Sequence, residues 1–170
     1  RDLKPENLFL TRSGALKVLD FGVARLTSER EQNAKRTRTG VLMGTPAFMA
    51  PEQARGRWNE VDERTDLWAV GAIMFTALAG RPVHLGETLH ELLVTASLRP
   101  APSLARVMQA PVALVRVVDK ALAFDKHERY RSATEMLAAV SAAVPDVLAA
   151  RTRGEAVVAK RPATAAPPPN

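Results

Sequence analysis

Two short apolar runs, Leu8–Leu10 and Leu16–Leu19, flank Arg12-Ser13-Gly14, and a glycine turn between such runs predicts a hairpin. Thr27–Thr39 is polar and charged with almost no apolar period, the pattern of a long surface loop, which in a compact domain is usually functional or disordered. Thr65–Ala79 is apolar on nearly every side, through Leu67, Trp68, Val70, Ile73, Met74, Phe75 and Leu78. Such a helix belongs in the middle of a domain, and Gly80 followed by Pro82 ends it. Thr88–Ser97 predicts a weaker amphipathic helix, and Pro100 and Pro102 break the stretch beyond it. Pro111–Ala123 carries Val112, Val115, Val118 and Leu122 at helical spacing, with Pro111 suited to a helix start. Ser132 and Glu135 form a capping box that starts a last helix before Met136, Leu137 and Val140. From Pro145 alanine, arginine and proline dominate, which predicts a flexible tail over 145–170 after a domain over 1–144. No internal repeat is visible.

Composition narrows the class. The 170 residues are 46% hydrophobic and 25% charged, which suits one globular domain. Aromatics are only 5%, so aliphatic side chains are expected to fill most of the core. There is no cysteine, which removes disulfides, thiolate metal sites and cysteine nucleophiles. The net charge of +6 is spread thinly and partly sits in the loop and the tail, so no nucleic-acid site is expected. Unbroken apolar runs such as Ala110–Val115 and Met136–Ala139 fall short of the ~20 residues that cross a bilayer, so no membrane span is expected.

The chemistry lies in four ordered strings. Arg1-Asp2-Leu3-Lys4-Pro5-Glu6-Asn7 opens the chain, and Asp20-Phe21-Gly22 follows the hairpin. Gly44-Thr45-Pro46-Ala47-Phe48-Met49-Ala50-Pro51-Glu52 comes after the loop, and Asp66-Leu67-Trp68-Ala69-Val70-Gly71 lies in the central helix. Each alone is weak; in this order and spacing they are specific. Together they resemble the protein kinase family, of the Ser/Thr type, from the catalytic loop onward over residues 1–144. The resemblance implies a mainly α fold, the large C-terminal lobe of a kinase with a small β-hairpin and no N-terminal lobe.

It also implies roles. Asp2 accepts or orients the proton of a Ser or Thr hydroxyl on a protein substrate, and Lys4 offsets charge at the γ-phosphate of ATP. Asn7 and Asp20 hold Mg²⁺, or Mn²⁺ in its place, through hard oxygen ligands. Phe9 falls where the family places an apolar side chain under the adenine ring. Lysine two residues after the catalytic aspartate is the family's mark of Ser/Thr specificity. Thr45 is expected to bond back to Asp2 and Lys4, Asp66 to hold the catalytic-loop backbone, and Glu52 with Arg129 to form a structural ion pair.

Arg1 before the catalytic Asp resembles kinases switched by phosphorylation of the activation loop. Thr37 and Thr39, ahead of Gly44-Thr45, resemble the autophosphorylated pair of the bacterial transmembrane-receptor class, flanked here by Lys35, Arg36 and Arg38. A cytoplasmic location follows, as a free protein or as the cytoplasmic part of a membrane-anchored kinase. His84, His90 and His127 lack metal-like spacing and are expected at the surface or satisfied; Trp58 and Trp68 suit a core or an interface.

The glycine-rich loop, the strand lysine and the adenine hinge are not among these residues, and the string at Arg1 starts mid-motif. The expectation is a fragment that by itself binds ATP poorly and transfers phosphate very slowly or not at all. Two other readings compete. A non-catalytic lobe acting as a scaffold would usually have lost one of Asp2, Lys4, Asn7 and Asp20, and none is lost. A basic adaptor would need more than the four basic and two acidic residues of 145–170.

Overall fold

A computed structural model describes residues 3–19 and 46–154. The first of these stretches is the hairpin. A 3₁₀ turn over Pro5–Asn7 leads into strand β1 (Leu8–Leu10), which pairs antiparallel with β2 (Leu16–Val18). Leu8 faces Val18, Phe9 faces Lys17 and Leu10 faces Leu16. Gly14 closes the turn at φ 82°, a conformation that a Cβ would strain. The Thr11 hydroxyl accepts from the Ala15 N–H at 2.9 Å and so holds the turn from inside. At the open end the Leu19 N–H donates to the Asn7 carbonyl at 2.7 Å, one bond beyond the strands.

The remainder is helical. Helix α1 (Pro51–Ala54) is a single turn. Helix α2 (Glu63–Ala79) follows, capped by Asp62, whose carboxylate accepts from the Arg64 N–H at 2.9 Å. It ends where expected, at Gly80 with φ 67°, whose N–H reaches the Thr76 carbonyl. Trp68, Ala72 and Phe75 of α2 are buried in one cluster with Val83, Leu104, Leu114, Val118 and Leu122. Few residues are aromatic, yet Trp68 and Phe75 are among the largest side chains fully enclosed. The core is therefore aliphatic packing around four aromatic side chains, Phe48, Trp68, Phe75 and Tyr130.

Helix α3 (Leu89–Leu98) starts at Thr88, with Thr88 and Glu91 capping one another. Helix α4 (Val112–Ala121) starts just after Pro111. Its buried stripe is Leu114, Val117, Val118 and Ala121, so the expected stripe is rotated: Val112 points outward and Leu122 lies just past the helix. The sequence offers valines on several sides, and the face chosen is the one that meets α2. There the packing is close, because a Cβ on Gly71 of α2 would stand 2.7 Å from the Ala121 Cβ.

Helix α5 (Ala133–Thr152) begins at Ser132, whose hydroxyl accepts from the Glu135 N–H at 3.1 Å. Glu135 reaches back one residue further than a capping box requires, to the Arg131 N–H at 2.8 Å. The helix then passes through Pro145 to Thr152, so the boundary expected at Pro145 lies inside an element. Proline removes one backbone donor on an exposed face, where water can meet the freed carbonyl. Val147 and Ala150 pack against the core beyond it and hold the last turns. An 18-residue stretch of this helix averages a hydropathy of 1.4, long and apolar enough to cross a bilayer by length and composition. Counting unbroken apolar runs misses this, because Ser141, Pro145 and Asp146 interrupt them.

Candidate active site and its clamp

The catalytic-loop end of the hairpin carries Lys4, Asn7 and Phe9. Lys4 has an extended backbone, and its carbonyl accepts from the Asn7 N–H at 3.0 Å to close the 3₁₀ turn. Pro5 suits that turn because its fixed φ matches the first position and no donor is wasted. Asn7 is half-buried and tied through its carbonyl to Leu19. Phe9 is 55% exposed, and Leu10, Leu16 and Leu19 are exposed with it. An apolar hairpin surface of this kind awaits a covering element or a flat apolar ligand.

Several expected site residues lie outside the described residues: Arg1, Asp2, Asp20, Thr37, Thr39 and Thr45. Asp20 follows Leu19 directly in the sequence. The donor set expected for a metal is an amide oxygen from Asn7 and a carboxylate from Asp20. Hard oxygens in that small number suit Mg²⁺, which keeps waters and phosphate oxygens as its other ligands. Among the described residues no three His, Cys, Asp or Glu side chains gather as a metal site of their own.

A second constellation lies among the helices, and the structure places both expected members, Glu52 and Arg129, in it. Arg129 donates from Nη1 to Glu52 Oε1 at 2.8 Å and from Nη2 to Oε2 at 2.9 Å. Its Nε donates to the Ala123 carbonyl at 2.9 Å, and its guanidinium stacks 4.9 Å from the Trp68 ring centre. Arg129 thereby ties the segment after α4 to α2 and α1 at one point. Burial pushes the Glu52 carboxyl up, but the Arg129 hydrogen bonds and charge, with its own backbone amide and Thr65, outweigh it and hold the group below its ordinary value.

Thr65 was not foreseen as part of this clamp. Its hydroxyl donates to Glu52 Oε1 at 2.8 Å and accepts from the Asp62 N–H at 3.3 Å. The available signal was threonine three residues after a capping aspartate, which places a hydroxyl at the helix start. Lys126 was also missed: its ammonium donates to the Glu60 carbonyl at 2.6 Å and to Asp62 Oδ2 at 3.0 Å. Burial raises the Asp62 carboxyl, but Lys126 and the Arg64 amide bring it below its ordinary value. Asp66 sits half-buried in the first turn of α2, and the catalytic-loop backbone around Asp2 that it is expected to hold lies outside the described residues.

His84 departs from expectation. It is buried between α2 and α3, and its Nε2 has no partner among the described residues. Burial alone pushes its pKa below the ordinary value, which favours the neutral ring.

With this geometry in hand, comparison with known proteins is decisive. The family model for the protein kinase domain matches residues 1–140. The chain belongs to the protein kinase family. The serine/threonine-protein kinase Pkn1 of Myxococcus xanthus is 40% identical, over 95% of this chain and 24% of its own length. The DNA damage-responsive serine/threonine-protein kinase RqkA of Deinococcus radiodurans is 35% identical over 91% of this chain and 23% of its own. The serine/threonine-protein kinase PknB of Mycobacterium leprae is 35% identical over 81% and 22%. The relatives are bacterial Ser/Thr kinases, and the chain spans about a quarter of their length. Within the kinase fold, the helices and hairpin described here are those of the large C-terminal lobe. The buried Glu52–Arg129 pair joins α1 to the segment between α4 and α5.

Proposed function

We propose that this chain is the C-terminal lobe of a Ser/Thr protein kinase that transfers the γ-phosphoryl group of ATP to Ser and Thr hydroxyls of proteins. The observation that carries the reading is the 2.7 Å bond from the Leu19 N–H to the Asn7 carbonyl. It pins the two ends of the hairpin together, and Asp20 follows Leu19 directly in the sequence. A rigid two-stranded spacer between two hard-oxygen ligands supports a shared role in holding Mg²⁺. When bound, that ion would neutralise phosphate oxygens.

Asp2 takes the proton of the acceptor hydroxyl as its oxygen bonds to the γ-phosphorus and the bond to the ADP oxygen breaks. Lys4 places its ammonium by the transferred group and offsets charge there. Phe9 offers an exposed apolar face to the adenine ring. Arg1 receives the phosphate of Thr37 or Thr39 through charge-assisted bonds, which orders the activation loop. The open hairpin surface supports the further reading that residues 1–170 alone bind ATP weakly and turn over very slowly.

The test is phosphotransfer from radiolabelled ATP to a Ser/Thr protein substrate by the longer kinase carrying this lobe. Asp2→Asn is expected to lower kcat by about 10²-fold or more, as loss of acid–base catalysis does, with the fold intact by circular dichroism. Unchanged turnover in that variant would overturn the assignment. Phosphopeptide mapping checks the loop: phosphate on neither Thr37 nor Thr39 in the active enzyme would end that part. A brisk Asp2-dependent rate from residues 1–170 would end the claim that the lobe alone is nearly inert.

A further inference from the structure

Helix α5 is apolar on more sides than the protein covers. Met136, Ala143 and Ala150 are buried, at spacings of seven, and dock the helix on the core. Leu137 (65% exposed), Val144 (45%) and Leu148 (55%) form a second stripe, at spacings of seven and four, that faces outward. It is about 16 Å long at the rise of an α-helix. Three aligned, exposed branched side chains on an otherwise alanine-rich helix are an unsatisfied surface.

Charge decides what covers it. Arg151 extends the stripe at its C-terminal end, Arg153 lies just beyond, and Arg131 stands at the N-terminal end, all exposed. The carboxylates of α5 are elsewhere. Asp146 is nine residues from Leu137, about 180° around the helix. Glu135 is engaged by Lys120 at 2.7 Å and by the Arg131 N–H. An apolar stripe framed by arginines, in a chain of net charge +6, repels a second copy of itself and attracts a negatively charged apolar surface. We infer that the outer face of α5 rests on an anionic lipid bilayer, with Leu137, Val144 and Leu148 dipping into it and the arginines at the headgroups. The helix lies on the surface and does not span it, because its Met136–Ala150 side is committed to the protein core.

The inference is independent of phosphotransfer and is read without it. The full chain is mixed with vesicles of phosphatidylcholine alone or with added phosphatidylserine. It contains no cysteine, so an environment-sensitive dye can be placed singly at Ser141→Cys on α5 or at Ser13→Cys on the hairpin turn. The expected result is a blue shift at position 141, quenched by nitroxide-labelled lipid, with anionic vesicles only, and weakened by salt. Leu137→Glu with Leu148→Glu, both exposed and so compatible with folding, should weaken vesicle binding roughly tenfold, as lost apolar contact and added negative charge do. The urea midpoint of that variant checks its fold. A shift at position 13 instead, binding insensitive to lipid charge, or concentration-dependent self-association without vesicle binding would each overturn the inference.

Discussion

The hairpin and the Glu52–Arg129 clamp are built on opposite principles. The hairpin carries Phe9 on one of two three-residue strands, with Lys4 and Asn7 at the turn leading into it and several apolar side chains open to solvent. The clamp sinks a full positive charge and a full negative charge into the interior and surrounds them with donors and acceptors. The first can lose an outward side chain such as Phe9 or Leu10 with little structural consequence, because those side chains are exposed. The second is intolerant of single changes, because a buried charge left alone has neither water nor a partner. The lobe thus leaves the outward hairpin side chains open and joins α1 to the segment after α4 through a buried pair.

Breaking the clamp is the largest expected effect. Arg129→Ala leaves Glu52 buried and unpaired and should cost about 3–5 kcal/mol in urea unfolding. Glu52→Leu combined with Arg129→Met should cost less than either single change, since no orphaned charge remains. If the double variant is as damaged as the sum of the singles, the bidentate pair is not the coupling point.

Next comes the helix crossing. Gly71→Ala forces α2 and α4 apart against a 2.7 Å contact and should cost about 1–3 kcal/mol, as overpacking does. Ala121→Gly in the same chain should restore a good part of it. A stable Gly71→Ala protein with an unchanged urea midpoint would show that the crossing is not tight.

Titration sharpens the same contrast. The folded-state pKa of Glu52 is below its ordinary 4.5, so its stabilisation is present above that pH and is lost as pH falls through the lower folded value. His84 is held neutral below its ordinary 6.5, so the unfolded chain takes up a proton that the folded one refuses. Stability should therefore decline as pH falls through about 6.5, and His84→Phe should flatten that part of the profile while leaving the decline below pH 4.5. A wild-type profile flat between neutrality and pH 5 would count against a buried neutral His84.

The smallest effect belongs to the hairpin. Phe9→Ala removes a half-open side chain and should move stability by no more than about 0.5 kcal/mol. In a complete kinase it should raise the KM for ATP while leaving kcat nearly unchanged. Unchanged KM would remove Phe9 from the adenine site.

Much of this was legible along the chain because it rests on local rules. Gly80 had to end α2, since only a residue free of Cβ strain sits comfortably at φ 67° after a helix. Ser132 marked its helix start by the hydroxyl it offers to an orphaned amide. The hairpin followed from a glycine turn between apolar runs, and the order of the motifs indicated the kinase family before any geometry. The Glu52–Arg129 pair, 77 residues apart, was legible only through that resemblance. Non-local facts were not legible. Pro145 and an alanine-rich composition read as a tail, but Val147 and Ala150 find core contacts that outweigh one lost backbone bond. Which valines of α4 turn inward depended on where Gly71 lets α2 approach. The burial of His84 and the bridging hydroxyl of Thr65 likewise depend on neighbours far away in sequence. Local conformational preference is written residue by residue; burial is a property of the assembled surface, and only tertiary packing assigns it.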